Sequence, residues 1–142
     1  MIYALIIALA AGLILYAIVL GSAKKSHKRS GGGVSYLDRT AVTGRWQTIM
    51  MTSEMGATGL KSSISDADKL FDHVLRQQDF KGNTMAERLK QAERRLSNRD
   101  GVWRAHKLRN ALAHDVTFDL VPSQVKGALH DFERGLKDLG AL

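Results

Sequence analysis

From Leu37 onward, apolar and polar positions alternate with the 3.6-residue period of helices, and the period breaks where turn chemistry appears. Val42, Trp46, Ile49, Met50 and Ser53 share one face and predict a first helix over 38–55. Gly56 and Gly59 read as a break after it. A second helix is predicted over 60–78, with Ile64, Ala67, Phe71 and Val74 as its stripe and Leu70 and Leu75 widening it. Phe80-Lys81-Gly82-Asn83 is a turn. Thr84 and Glu87 then form a Thr-x-x-Glu capping box, in which the hydroxyl and the carboxylate satisfy amides that the first helical turn leaves open. The helix it opens carries Met85, Leu89, Ala92 and Leu96, and 97–100 is a polar connection. A fourth helix is predicted over 100–115. The stretch 116–121 alternates and could be extended, but is too short and isolated to build a sheet. Pro122 suits a first helical position, where its missing N–H costs nothing. Val125, Leu129, Phe132, Leu136 and Leu139 mark the last helix, and Gly140 its stop. Val121 cannot cap that helix with a side-chain oxygen, so its start is expected to fray. The expected fold class is all-α: a bundle of four to five helices over 37–142.

The first 36 residues follow a different pattern. Ile2 to Leu20 contains no charge, and the first charged residue is Lys24. About 20 apolar residues at 1.5 Å per residue span about 30 Å, the thickness of bilayer hydrocarbon. A cleaved signal peptide fits less well, because no basic region precedes the run and the run is too long. A small domain also has no room to bury a helix that is apolar all round. Residues 1–21 are therefore expected to be a transmembrane anchor. Lys24, Lys25, Lys28 and Arg29 follow it directly, which by the positive-inside bias places the C-terminal domain in the cytoplasm. Ala4, Ala8 and Gly12 are spaced to let a second such helix approach, although alanine is common in membrane helices on any reading. Residues 22–36, basic and then Ser-Gly-Gly-Gly, are expected to be a flexible linker with a reach on the order of 20 Å.

Composition narrows the chemistry. The chain has 142 residues, one proline and no cysteine, so disulfides, thiol catalysis and Cys-ligated zinc are excluded. The net charge is +7, but four of the cations belong to the linker. Without them 17 Lys and Arg stand against 14 Asp and Glu, a net +3 that does not by itself announce RNA binding. No Gly-rich phosphate loop, Ser/His/Asp pattern or paired-carboxylate site is present, and no cofactor is expected.

Polar chemistry concentrates in the fourth helix, and the bundle is expected to be organised around it. On a helical wheel Ala105, Leu108, Leu112 and Val116 face a core, and Trp103, His106, Lys107, Asn110 and His114 gather on the opposite side. His106, Asn110 and His114 follow at i, i+4, i+8, each about one turn above the last. Arg109 lies off that line, beside the apolar arc. A solvated face would be rich in Glu and Lys, so this stripe reads as a contact surface or a site. His106 and His114 are two turns apart and no carboxylate shares their stripe, so no metal site is expected. His27, His73 and His130 read as solvated or surface residues, and Trp46 and Trp103 as packing or interface residues.

Arg109-Asn110-Ala111-Leu112-Ala113-His114 places an Arg, a polar residue directly after it, and a His beyond four intervening residues. With Ala67-Asp68-Lys69-Leu70, Glu87-Arg88-Leu89-Lys90 and Val102-Trp103-Arg104-Ala105-His106-Lys107-Leu108, this resembles the HEPN-like domains, in a small bacterial membrane-anchored branch. The likeness covers about 60–140. It implies a helical bundle that pairs as a homodimer through the helix bearing the motif. It also implies metal-independent endoribonuclease chemistry, in which a 2′-hydroxyl attacks the adjacent phosphate to leave a cyclic phosphate and a 5′-hydroxyl. His114 would then be the acid/base, since imidazole exchanges protons near neutrality. Arg109 would hold the phosphate with its planar fork. Asn110 would orient His114 or bond a substrate oxygen, and His106 and Lys107 would be secondary contacts. On the wheel Arg109 and His114 diverge, so in a dimer they would meet from different chains. A plainer reading stays open beside it. Arg109 pairs with a carboxylate of a neighbouring helix, Asp66, Asp68 or Asp72, and the chain is a non-catalytic dimerising or partner-binding module held at the membrane.

Overall fold

A computed structural model describes residues 37–114 and 119–142, and these form an all-helical bundle. The expected anchor (1–21), the linker (22–36) and Val116 lie outside the described residues. Among the described residues no helix is long and apolar enough to cross a membrane. The helices are α1 (Arg39–Ser53), α2 (Gly56–Gln77), α3 (Met85–Ala92), α4 (Arg99–His114) and α5 (Pro122–Asp138), with a 3-10 turn at Glu93–Arg95 after α3. Ser35–Leu142 is one compact unit with its own apolar core, which is what independent folding requires.

Local chemistry sets most of the ends. Asp38 caps α1 by accepting from the amide of Ala41 at 3.0 Å. Thr84 caps α3 through the amide of Glu87 at 3.2 Å, while the Glu87 carboxylate turns back to the amide of Asn83 rather than to that of Thr84. The side chain of Asn98 accepts from the amide of Gly101 at the start of α4 and donates to Asp131 of α5 at 2.7 Å, which fixes the two helices at that end. Val121 provides no side-chain cap for α5, as its residue type requires.

Three expectations are corrected. The second helix begins at Gly56, four residues earlier than its apolar stripe suggests, and runs through Gly59. Gly56 has φ +74°, so it alone makes the turn from α1. Gly59 is needed inside the helix because a Cβ there would meet Met55 Cβ at 2.8 Å and the carbonyl of Thr52. The third helix stops at Ala92 instead of continuing to Leu96, whose amide donates a hydrogen bond to the carbonyl of Glu93 at the end of the 3-10 turn. Finally, the hub of the bundle is α2 and not α4, since α2 packs against each of the other four helices.

The sequence explains that centrality. Ala67, Phe71, Val74 and Leu75 are fully buried in α2, so its apolar arc is wide enough for several neighbours. Phe71 stacks at a tilt on Phe132 of α5, ring centroids 5.5 Å apart. Val102 of α4 and Val125, Leu129 and Leu136 of α5 fill the rest. Burying each of the larger side chains contributes about 1.5–3 kcal/mol. By contrast α1 packs mainly on α2, through Val42, Trp46 and Ile49, and leaves Met51 in solvent at 67% exposure; Met55, in the turn after it, is 74% exposed. Arg88 of α3 is buried, with Nε 2.7 Å from Asp72 of α2 and Nη1 bonded to the carbonyl of Gly82, so an ion pair ties α3 to the hub.

Candidate functional site

The candidate site lies where α4 crosses α2, around Asp68. Its carboxylate is almost fully buried, in the same turn as Ala67 and Leu70. Oδ1 is 2.7 Å from Nδ1 of His106, and Oδ2 is 3.5 Å from Nε of Arg109. From Arg109, Nη1 donates to Oδ1 of Asn110 at 3.0 Å. Asn110 Nδ2 in turn lies 3.2 Å from His106 Nε2. The four side chains close a circuit: Asp68, His106, Asn110, Arg109 and back to Asp68.

Proton positions in this circuit are forced. A guanidinium only donates, so Asn110 must present its carbonyl oxygen to Arg109. The amide nitrogen of Asn110 therefore faces His106 and donates to Nε2. With Nε2 accepting, the imidazole proton of the neutral ring sits on Nδ1 and points at Asp68, an acceptor. Every bond then has one donor and one acceptor, and reversing any of them sets two donors against each other. Arg109 Nε is buried and is too poorly aligned with Asp68 for a hydrogen bond, so that side of the circuit is an ion pair only.

The expected stripe of His106, Asn110 and His114 is thereby divided. His106, placed by the wheel on an outward face without a carboxylate, is largely buried, its side chain 12% exposed, and is paired with one. Asn110 bridges it to Arg109. The reason is the width of α2: its polar Asp68 reaches past the apolar seam to the flank of α4. His114, at the C-terminal end of α4, is exposed, and no bond joins it to Arg109. Lys107 is exposed beside Asp100, Trp103 and Arg104 at a shallow depression. Within one chain, then, Arg109, Asn110 and His106 come together, and Lys107 and His114 stay outside the group.

Trp103 extends the polar line. Its ring meets that of His106 edge-on at 6.2 Å between centroids, and Nε1 donates to Glu93 at 2.9 Å. Of the other histidines in the described residues, His130 is exposed near Glu133, and His73 is half-buried. No group of three or more His, Cys, Asp or Glu among the described residues could hold a metal ion.

On the far side of Arg109 a crevice of about 560 Å³ opens between α2 and α4. Arg109, Lys61 and Lys69 line it together with the hydroxyls of Ser62 and Ser65, over Ile64 and Leu112. His114 is not among its lining residues. Lys61 and the serines carry no motif and sit on the polar side of α2. Only their spacing with Lys69 along one helix signals them in the sequence.

The fold and this site define an all-helical bundle pinned at one crossing by a buried Asp-His-Asn-Arg circuit. Compared with known proteins, the chain matches no family model, no curated protein and no solved structure.

Proposed function

We propose that the chain is a membrane-tethered, HEPN-like helical module that works by binding rather than by cutting RNA. The observation that carries this reading is the engagement of Arg109. Two of its three nitrogens are committed to Asp68 and Asn110 within the chain, so the guanidinium braces the α2–α4 crossing. A phosphate clamp for cleavage needs an imidazole in reach of the same phosphate, and the imidazole beside Arg109 is His106, whose two nitrogens are both engaged. Tethering rests on the uncharged run 2–20 and the basic cluster after it.

A second reading has one observation in its favour. His114 is exposed and Arg109 borders an open crevice, so a second copy could bring His114 of one chain to Arg109 of the other. This is the metal-independent endoribonuclease. Incubating residues 35–142 with RNA in EDTA separates the two. Intact RNA at high protein concentration is the expected result. Cleavage that is lost in both Arg109→Ala and His114→Ala, with folding retained, would establish the ribonuclease instead.

A further inference from the structure

We infer that the crevice between α2 and α4 is a binding site for a phosphate group carried on an apolar body. Its volume, about 560 Å³, is in the range of small-molecule sites. Its chemistry has two parts. Lys61, Lys69 and Arg109 bring three cations to the rim, with the Ser62 and Ser65 hydroxyls between them. Two carboxylates answer them: Asp66 is 3.1 Å from Lys69, and Asp68 stands behind Arg109. Lys61 has no ion pair with a described residue, so the rim keeps a positive excess. Ala57, Ala113 and Leu120, none of them buried, offer apolar surface in the same crevice, which a free inorganic ion would leave uncovered.

Arg109 makes the site specific. Asp68 and Asn110 hold Nε and Nη1 before any ligand arrives, so the side chain has little freedom left to lose on binding. Nη2 has no partner among the described residues and is the donor that Arg109 can offer. A planar carboxylate would use the fork of one Arg. A tetrahedral phosphate presents oxygens in several directions and can accept from Arg109 of α4 and from a cation of α2 together. Two sources carry such a group on an apolar body: a phospholipid whose headgroup is a phosphate monoester, and a soluble nucleoside monophosphate.

This inference rests on the binding reading above, and the two fail separately. RNA cleavage by the unaltered domain would end that reading and leave this site standing. Absence of a phosphate-specific, crevice-dependent interaction would end this one alone. The test uses residues 35–142 in two arms: NMR titration with adenosine monophosphate, and sedimentation with phosphatidylcholine vesicles with or without phosphatidate. At least one arm is expected to show binding. Lys61→Gln, Lys69→Gln and Arg109→Lys should each weaken it roughly tenfold, the equivalent of about 1.4 kcal/mol. Lys90→Gln, an exposed cation on α3, should leave it unchanged. Binding in the vesicle arm alone assigns the ligand to the bilayer, and binding to the nucleotide alone assigns it to solution. No binding in either arm overturns the inference, as does binding that Lys90→Gln weakens as much as the crevice variants do. Lys61 is exposed and has no ion pair among the described residues, so its replacement tests the site without threatening the fold.

Discussion

Replacing Asp68 by Asn keeps the shape of the side chain and removes its charge, which makes it a sharp probe of the circuit at the α2–α4 crossing. Asp68 now accepts a hydrogen bond from Nδ1 of His106 at 2.7 Å, and it forms an ion pair, without a hydrogen bond, with the Arg109 guanidinium, whose Nε donor stands 3.5 Å away. Asparagine has one acceptor oxygen, so its amide nitrogen must face one of those donors. His106 cannot relieve the clash by moving its proton to Nε2, because Asn110 donates there. A hydrogen bond to a charged group contributes about 1.5–3 kcal/mol, and stranding a partly buried cation adds to the loss. Arg109 keeps a quarter of its side chain in water, which softens that second part. The expected destabilisation is about 2–4 kcal/mol. In urea, with m about 2 kcal/mol/M for a small domain, the midpoint should fall by about 1–2 M with m unchanged. A ¹⁵N spectrum of the unaltered protein should show His106 as the Nδ1–H tautomer. A midpoint within about 0.3 M of the unaltered protein, on the same urea scale, would mean that the circuit does not hold the crossing. An Nε2–H tautomer would refute the bond order derived for it.

Two further outcomes test the frame around the site. Gly135 of α5 faces the core, and a Cβ there would lie 2.7 Å from Phe71 Cε2 and 3.0 Å from Val102 Cγ2. Gly135→Ala should therefore cost about 1–3 kcal/mol by overpacking, read as a lower thermal midpoint, although alanine is the better helix former. Thr84→Ala removes the hydroxyl that accepts from the Glu87 amide and should cost about 1 kcal/mol, while Thr84→Ser should restore most of it.

Much of the bundle was legible along the chain. Periodicity located all five helices, because a face that must be buried has to recur every 3.6 residues wherever the helix lies. Thr84 and Pro122 marked helix starts through bonding that reaches only three or four residues. The errors came where distant residues decide. Gly59 is helical because α2 begins against the last turn of α1, a proximity that the breaking tendency of glycine does not reveal. Leu96 leaves its helix because the chain must turn there towards α4.

The site divides in the same way. The sequence by itself determined that Arg109, Asn110 and His106 lie within one turn of each other, since helix geometry allows nothing else. It also offered three aspartates on the second helix, Asp66, Asp68 and Asp72, as candidate partners of Arg109. Which of them is the partner, and that His106 shares it while His114 does not, was decided by the packing of α2 against α4. Asp68 and His106 are 38 residues apart. A wheel gives the direction in which a side chain leaves its helix but not what stands there to receive it. That depends on the crossing of two helices, which is set by the fit of all their buried side chains together.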